Sequence, residues 1–193
     1  MENSAIFLAI LLVLGGVAVV TAVFFFARQW MQAVETSWRT VGEQLGLAME
    51  RRGVYFTLRG RLQRVEVVVD VMQQQVGDHS RPWTRVRAQL TQPPPLQVRA
   101  RTHKVADKPP WPSVPSGDAA FDAKYELFLP EEVGVEAGLK TAVSAALLAA
   151  DPPVHVLNNV VLWTQVRVVR DAALLQQAVE ACVNVAAAIE EEK

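Results

Sequence analysis

Between Ala5 and Ala27 the chain runs for 23 residues without a charged side chain, AIFLAILLVLGGVAVVTAVFFFA. A bilayer core takes about 20 apolar residues as a helix, so this run sets the physical setting for everything after it. Its 15 Leu, Ile, Val and Phe residues favour insertion by roughly 5–9 kcal/mol as an upper figure, since residues near the ends count for less. A cleaved signal peptide has a basic start, a shorter apolar stretch and a small-residue cleavage site. Here Met1-Glu2-Asn3-Ser4 carries no Lys or Arg, and the run ends Phe24-Phe25-Phe26-Ala27-Arg28. The reading is a single retained span. Arg28, Arg39, Arg51 and Arg52 follow it, and Lys and Arg close to a span stay on the cytoplasmic side. The expected location is therefore a cell (inner) membrane, with the N-terminus outside and the remainder cytoplasmic. Cys182 is alone, so no internal disulfide framework is available. Trp30, three residues past the run, suits the headgroup level, and Gly15-Gly16 lacks the small-xxx-small spacing of a helix-association motif.

Met31, Val34, Trp38, Val41, Leu45 and Ala48 recur at spacings of three and four, one apolar stripe on a helix that continues to about Arg51. The stripe either packs on the domain's own sheet or drives self-association as a short coiled coil. Gly53 closes the helix, and the apolar period drops to two. Phe56-x-Leu58 with Leu62, Val65-x-Val67-x-Val69-x-Val71, Val86-x-Ala88-x-Leu90 and Leu96-x-Val98-x-Ala100 each read as a half-buried strand. Gly60, Gly77-Asp78-His79-Ser80 and Pro93-Pro94-Pro95 separate them as turns or loops, which predicts a four-strand antiparallel meander. Lys108 to Pro115 (KPPWPSVP) is a stiff loop whose Trp111 covers a core edge. A fifth strand runs from Lys124 to Leu129. Pro130-Glu131-Glu132 opens a helix carrying Leu139, Ala142, Val143, Ala146 and Leu147. Val154 to Val169 forms a hairpin around Asn158-Asn159, a pair that suits a type I′ turn. Asp171 caps a last amphipathic helix. The fold class is α+β: a transmembrane helix, then one domain of mainly antiparallel sheet packed with two or three helices. The divisions are a tail over 1–4, a span over 5–27, a juxtamembrane helix over 28–52, the domain over 53–189 and an acidic tail over 190–193.

The net charge of −1 hides a polarity: Arg51 to Lys108 holds 12 basic and 4 acidic residues, and Pro109 to Lys193 holds 5 and 12. Strand parity puts Arg59, Arg61, Arg85, Arg87, Arg99 and Arg101 on the face opposite the Val/Leu positions. Glu66 and Asp70 share that face and neutralise part of it by cross-strand pairing. Such a face is either solvated or covered surface, or a site for anions, since guanidinium forks suit phosphates and carboxylates. Anionic headgroups or an acidic protein are the expected partners, the acidic half of a second copy included. Nucleic acid fits poorly, with only Tyr55 and Trp83 able to stack near this face.

Catalytic signatures are missing from the sequence. His79, His103 and His155 have no metal-ligand spacing, Cys182 lies on an apolar helix stripe, and no Gly-rich phosphate loop precedes a Lys-Ser/Thr pair. No metal or cofactor is expected. Asp118 and Asp122 form a carboxylate pair that could serve acid–base chemistry, although Asp118 more simply caps a turn.

Trp38, Leu45-Gly46-Leu47, Leu58-x-Gly60 and Gly117-Asp118-Ala119-Ala120-Phe121-Asp122-x-x-Tyr125 form a series. With the closing strand pair and helix, it is similar to a family of bacterial (myxobacteria-like) single-span membrane-anchored domains for which no activity is known. The resemblance implies a bacterial origin. It also implies a structural GDxxFD turn in which Phe121 fills the core and both Asp side chains bond the backbone. The expectation is a membrane-anchored, non-catalytic binding or scaffolding protein. The alternatives are a membrane-proximal enzyme using Asp118 and Asp122, and an accessory subunit of a membrane complex reached through the Met31–Ala48 stripe.

Overall fold

The computed structural model describes residues 2–76, 78–102 and 109–192, with side chains described from Leu14 onward apart from Val76. Gly77, His103 and Lys108 of the readings above lie outside the described residues. The chain opens with one unbroken helix, α1 (Glu2–Leu45), so the apolar run and the segment after it are a single rod. The described part of the apolar run stands clear of the domain, and burial begins at Trp30 and Met31. Val34, Trp38 and Val41 are fully within the core.

The helix stops earlier than expected. Gly46, at φ +66°, takes the left-handed conformation that favours glycine, and Leu47 N–H returns to Gly42 O at 2.8 Å. Residues 48–52 are strand β1 (Ala48–Arg52), not helix. Gly53, at φ +64°, turns the chain into β2 (Tyr55–Leu62), with Arg52 opposite Tyr55. The predicted stripe is thus split. Met31 to Leu45 packs on the domain's own core, while Ala48 is exposed on β1. Val34, Trp38 and Val41 of the stripe are buried in this domain, while Met31 and Leu45 are half-buried. Trp30 is also half-buried against the core.

Strands β2, β3 (Val65–Val76) and β4 (His79–Gln89) form an antiparallel meander. The predicted fourth member, β5 (Gln97–Ala100), does not pair with β4. The proline run between them cannot make a tight hairpin, and the hairpin β8 (His155–Leu157) and β9 (Val160–Val166) inserts in the gap. The two residues Ser113–Val114 of the proline segment add an edge strand, β6. They pair with β7 (Tyr125–Phe128), which follows the short helix α2 (Ala119–Lys124). The resulting sheet has nine strands in the order β1-β2-β3-β4-β9-β8-β5-β7-β6.

Other boundaries shift for local reasons. Pro130 to Gly134 is a turn. The helical stretch after it breaks into α3 (Val135–Gly138) and α4 (Thr141–Ala149) where a Cβ on Gly138 would lie 2.5 Å from Leu129 Cδ2. At the β8–β9 turn only Asn158 has positive φ; the pair with positive φ at both positions is Gln63-Arg64, between β2 and β3. The last strand ends at Val166 because Arg167 turns out at φ +81°. Asp171 caps α5 (Ala172–Glu191), accepting from Ala173 and Leu174 N–H at 2.9 and 3.2 Å. The expected acidic tail is mostly the last turn of that helix, and Glu190 accepts from Thr91 N–H at 2.7 Å.

All the long helices lie on one side. The base of α1, α4 and α5 cover one sheet face; α5 packs on β3, β4 and β9, and α1 on β1, β2 and α5. Leu58, Val67, Val69, Val86, Ala88, Val161 and Trp163 point into this layer and are fully buried. The other face has no helix layer.

Candidate functional site

That second face is where the chemistry-bearing side chains gather. Register carries one row across the sheet from Arg59 through Val68, Arg87 and Leu162 to His155. On β5 and β7, Arg99 stands opposite Glu126 on the same face. Arg61 stands opposite Glu66, and Arg85 opposite Asp70. The parity reading therefore holds for the five Arg residues within strands, and Arg101 follows β5 directly.

Their situations differ. Asp70 holds two guanidinium groups at once. Arg85 binds it with Nε and Nη2, both at 2.9 Å, and Arg87 Nη2 reaches it at 2.7 Å. This is the cross-strand neutralisation expected of Asp70, and it is charge-assisted and bidentate, the stronger kind of hydrogen bond. Arg101 pairs with Glu126 at 2.9 Å and donates to Asp122 O at 2.7 Å. Arg99 sits with Cζ 5.6 Å over the Phe128 ring. Arg59 and Arg61 are exposed and, among the described residues, have no carboxylate within ion-pair distance. Glu66, which parity also placed here, takes no such pair.

Three side-chain donors on this face are buried with no acceptor: Trp83 Nε1, Arg87 Nε and Arg99 Nε. They are the only buried side-chain polar atoms without a partner among the described residues, and each such donor costs free energy until something accepts from it. Val68, Val160 and Leu162 stand half-exposed among them. Trp83 shares strand parity with Arg85 and Arg87, a signal legible in the alternation of β4, whereas the aliphatic strip lies in the unalternating runs Val67-Val68-Val69 and Val160-Val161-Leu162, where parity alone does not mark an outward side chain.

The other candidates are structural. Asp118 accepts from Ala120 and Phe121 N–H at 2.8 and 3.3 Å. Asp122 accepts from Ser116 N–H at 2.9 Å, and that backbone hydrogen bond holds its pKa below the usual carboxylate value. A general acid needs the reverse shift. Phe121 is fully buried, as the resemblance implied for the turn. Cys182 is buried within α5, and burial pushes its thiol pKa up, away from the thiolate a nucleophile needs. His79 is exposed on β4, whereas His155 is buried and accepts from Ala100 N–H at 3.2 Å. Among the described residues no three His, Cys, Asp or Glu side chains converge to hold a metal.

Compared with known proteins, the chain matches no family model, no curated protein and no solved structure.

Proposed function

We propose that this chain is a single-pass protein of a bacterial inner membrane whose cytoplasmic domain binds an acidic protein through the helix-free sheet face, without catalysis of its own. The observation that carries the reading is the exposed pair Arg59 and Arg61, with no carboxylate partner among the described residues, beside the half-exposed Val68, Val160 and Leu162. An acidic, partly apolar surface supplies what that face lacks: carboxylates for the free guanidinium forks and cover for the aliphatic strip. Retention of the span is supported by the continuity of α1, whose last turns belong to the domain core.

Geometry favours protein over lipid for this face. Gly46 lies against Gly60 and Gly42 against Leu58, so β2 runs alongside α1 and the sheet stands along the helix axis. Its faces then look sideways across the membrane surface. Arg59 and Arg61 flank Gly60 at the Leu45 end of α1, 18 residues below Ala27, or about 27 Å of helix. Headgroup fields fade within about 8–10 Å.

A photo-crosslinking residue at position 66 of the full-length chain, exposed on the same face opposite Arg61, tests this in native membranes, with exposed position 177 of α5 as reference. The expected result is a discrete adduct from 66 alone, with an acidic protein or a second copy, that weakens in high salt and in Arg59→Gln. No adduct from 66, or the same adduct from 177, would overturn the reading.

A further inference from the structure

The end of the domain that faces the bilayer is a different surface, and its position follows from two lengths. The Trp38 indole donates to Val169 O at 2.9 Å, and Val169 N–H donates to Thr84 Oγ1 at 2.9 Å, which sets Thr84 level with Trp38. From Trp38 to Ala27 is 11 residues, about 16 Å of helix toward the membrane. Beyond Thr84, where regular pairing with β9 ends and only Arg167 bridges Trp83, the β3–β4 hairpin continues for five residue pairs, Met72↔Trp83 to Val76↔His79. Five pairs span about 17 Å. Because β2 runs with α1 and β3 against it, this overhang points toward the membrane and reaches the level where the apolar run ends.

Basic residues crowd that end. Arg81 is on the overhang, Arg167 and Arg170 follow β9, and Arg28 is on α1; all four are exposed and none has a carboxylate partner among the described residues. Ser37 Oγ donates to Arg170 O, which fixes this segment against α1 nine residues below Arg28. Arg167 is held at φ +81°, with its N–H on Pro82 O at 2.7 Å and its carbonyl accepting from Thr84 N and Oγ1 at 3.1 and 2.9 Å. Glycine fits that conformation at lower cost, yet a long cation occupies it. The local acids are largely engaged: Glu35 with Arg39, Glu50 with Arg52 and Asp171 with the start of α5, leaving Asp78 exposed at the tip.

The opposite end carries the reverse charge. Since α5 starts near Ser37 and runs away from the membrane, Glu190, Glu191 and Glu192 lie at the far end. Lys140, bound to Glu192 O and 3.4 Å from its carboxylate, brings the segment with Glu131, Glu132 and Glu136 to the same end. The domain is thus polar along the helix axis: Arg28, Arg81, Arg167 and Arg170 stand toward the bilayer, and away from it these six Glu residues outnumber Arg59, Arg61, Arg64 and Lys140.

We infer that Arg81, Arg167 and Arg170, with Arg28, form a second membrane contact that docks the domain on anionic phospholipid headgroups of the bilayer α1 enters. This rests on α1 being a retained span and is independent of the sheet face. Each Arg at such a surface changes the docking equilibrium by about five-fold, and Arg binds phosphate oxygens with paired donors.

The test is amide hydrogen exchange of the full-length chain in phosphatidylcholine vesicles with and without phosphatidylglycerol, at low and high salt. Exchange at 79–84 and 165–170 is expected to slow with phosphatidylglycerol, and to recover in high salt. The Arg81→Gln, Arg167→Gln, Arg170→Gln triple variant should lose the effect, and Arg59→Gln, Arg61→Gln should keep it. An unfolding midpoint for each variant separates lost docking from lost fold. No lipid dependence in a chain that stays with vesicles through carbonate washing overturns the docking alone. Persistence of the effect in the triple variant overturns it equally. A chain that washes off overturns docking and span together.

Discussion

The two faces of the sheet use the same strands to opposite ends. On the helix-covered face, Val67, Val69, Val86, Ala88 and Val161 alternate into a layer closed by α1, α4 and α5, and the polar groups that enter it are bonded. Trp38 Nε1 reaches Val169 O, and Tyr125 OH donates to Leu147 O at 2.8 Å. On the other face, the alternate residues of β2, β3, β4 and β5 bring Arg side chains, one shared carboxylate and three donors without acceptors. A face that is complete within the chain stabilises the fold. A face that leaves exposed guanidinium groups without carboxylates is one that an acidic partner can complete.

That contrast predicts opposite responses to substitution. Trp38→Ala removes the largest wholly buried side chain and the bond that ties α1 to the sheet. It should cost about 3–5 kcal/mol in denaturant unfolding of the full-length chain in micelles. Proteolysis within residues 28–47 should also rise as the helix comes away from the domain. An intact midpoint would mean that the covered face is not what holds α1.

A smaller effect comes from pH. Burial pushes the Tyr125 phenol up to about 12 from its ordinary value of 10. The folded state keeps its proton longer than the unfolded one, so stability is intact below pH 10 and falls as pH rises from 10 toward about 12. The full difference is about 2–3 kcal/mol. Comparing wild type with Tyr125→Phe isolates it, because the variant should lack this part of the decline. Equal slopes would break the assignment.

The smallest effect is expected on the second face. Arg61→Gln should leave the unfolding midpoint within about 0.5 kcal/mol while reducing any partner complex, a split the covered face cannot produce. A clear loss of stability would show that Arg61 serves the fold itself.

Much of the candidate face was legible because side-chain alternation is a local property with period two. Arg59, Arg61, Arg85, Arg87 and Arg99 share a face whichever strands neighbour them. Pairing is not local. That Asp70 would hold both Arg85 and Arg87 depends on the β3–β4 register, and the burial of Trp83 Nε1, Arg87 Nε and Arg99 Nε depends on side chains brought together across the sheet. Glycine reading failed in a telling way: Gly46 and Gly53 both take positive φ, but one ends a helix and the other turns a hairpin. The five residues between them, AMERR, have no apolar alternation to declare a strand. They form one because the edge of β2 is open beside them.

The sequence by itself determined an apolar run long enough for a bilayer, the sidedness of the Arg residues and the caps at Asp118 and Asp171, since each depends on neighbours within a few positions. Only the tertiary structure decided that β8 and β9 lie between β4 and β5, and that α1 is one rod rooted in the core. It alone also set Arg81, Arg167 and Arg170 at the end of the domain from which the apolar part of α1 emerges, and Glu190 to Glu192 at the other end. Those outcomes depend on contacts between distant segments, where burying one face of every element has many local solutions and only the packed whole selects among them.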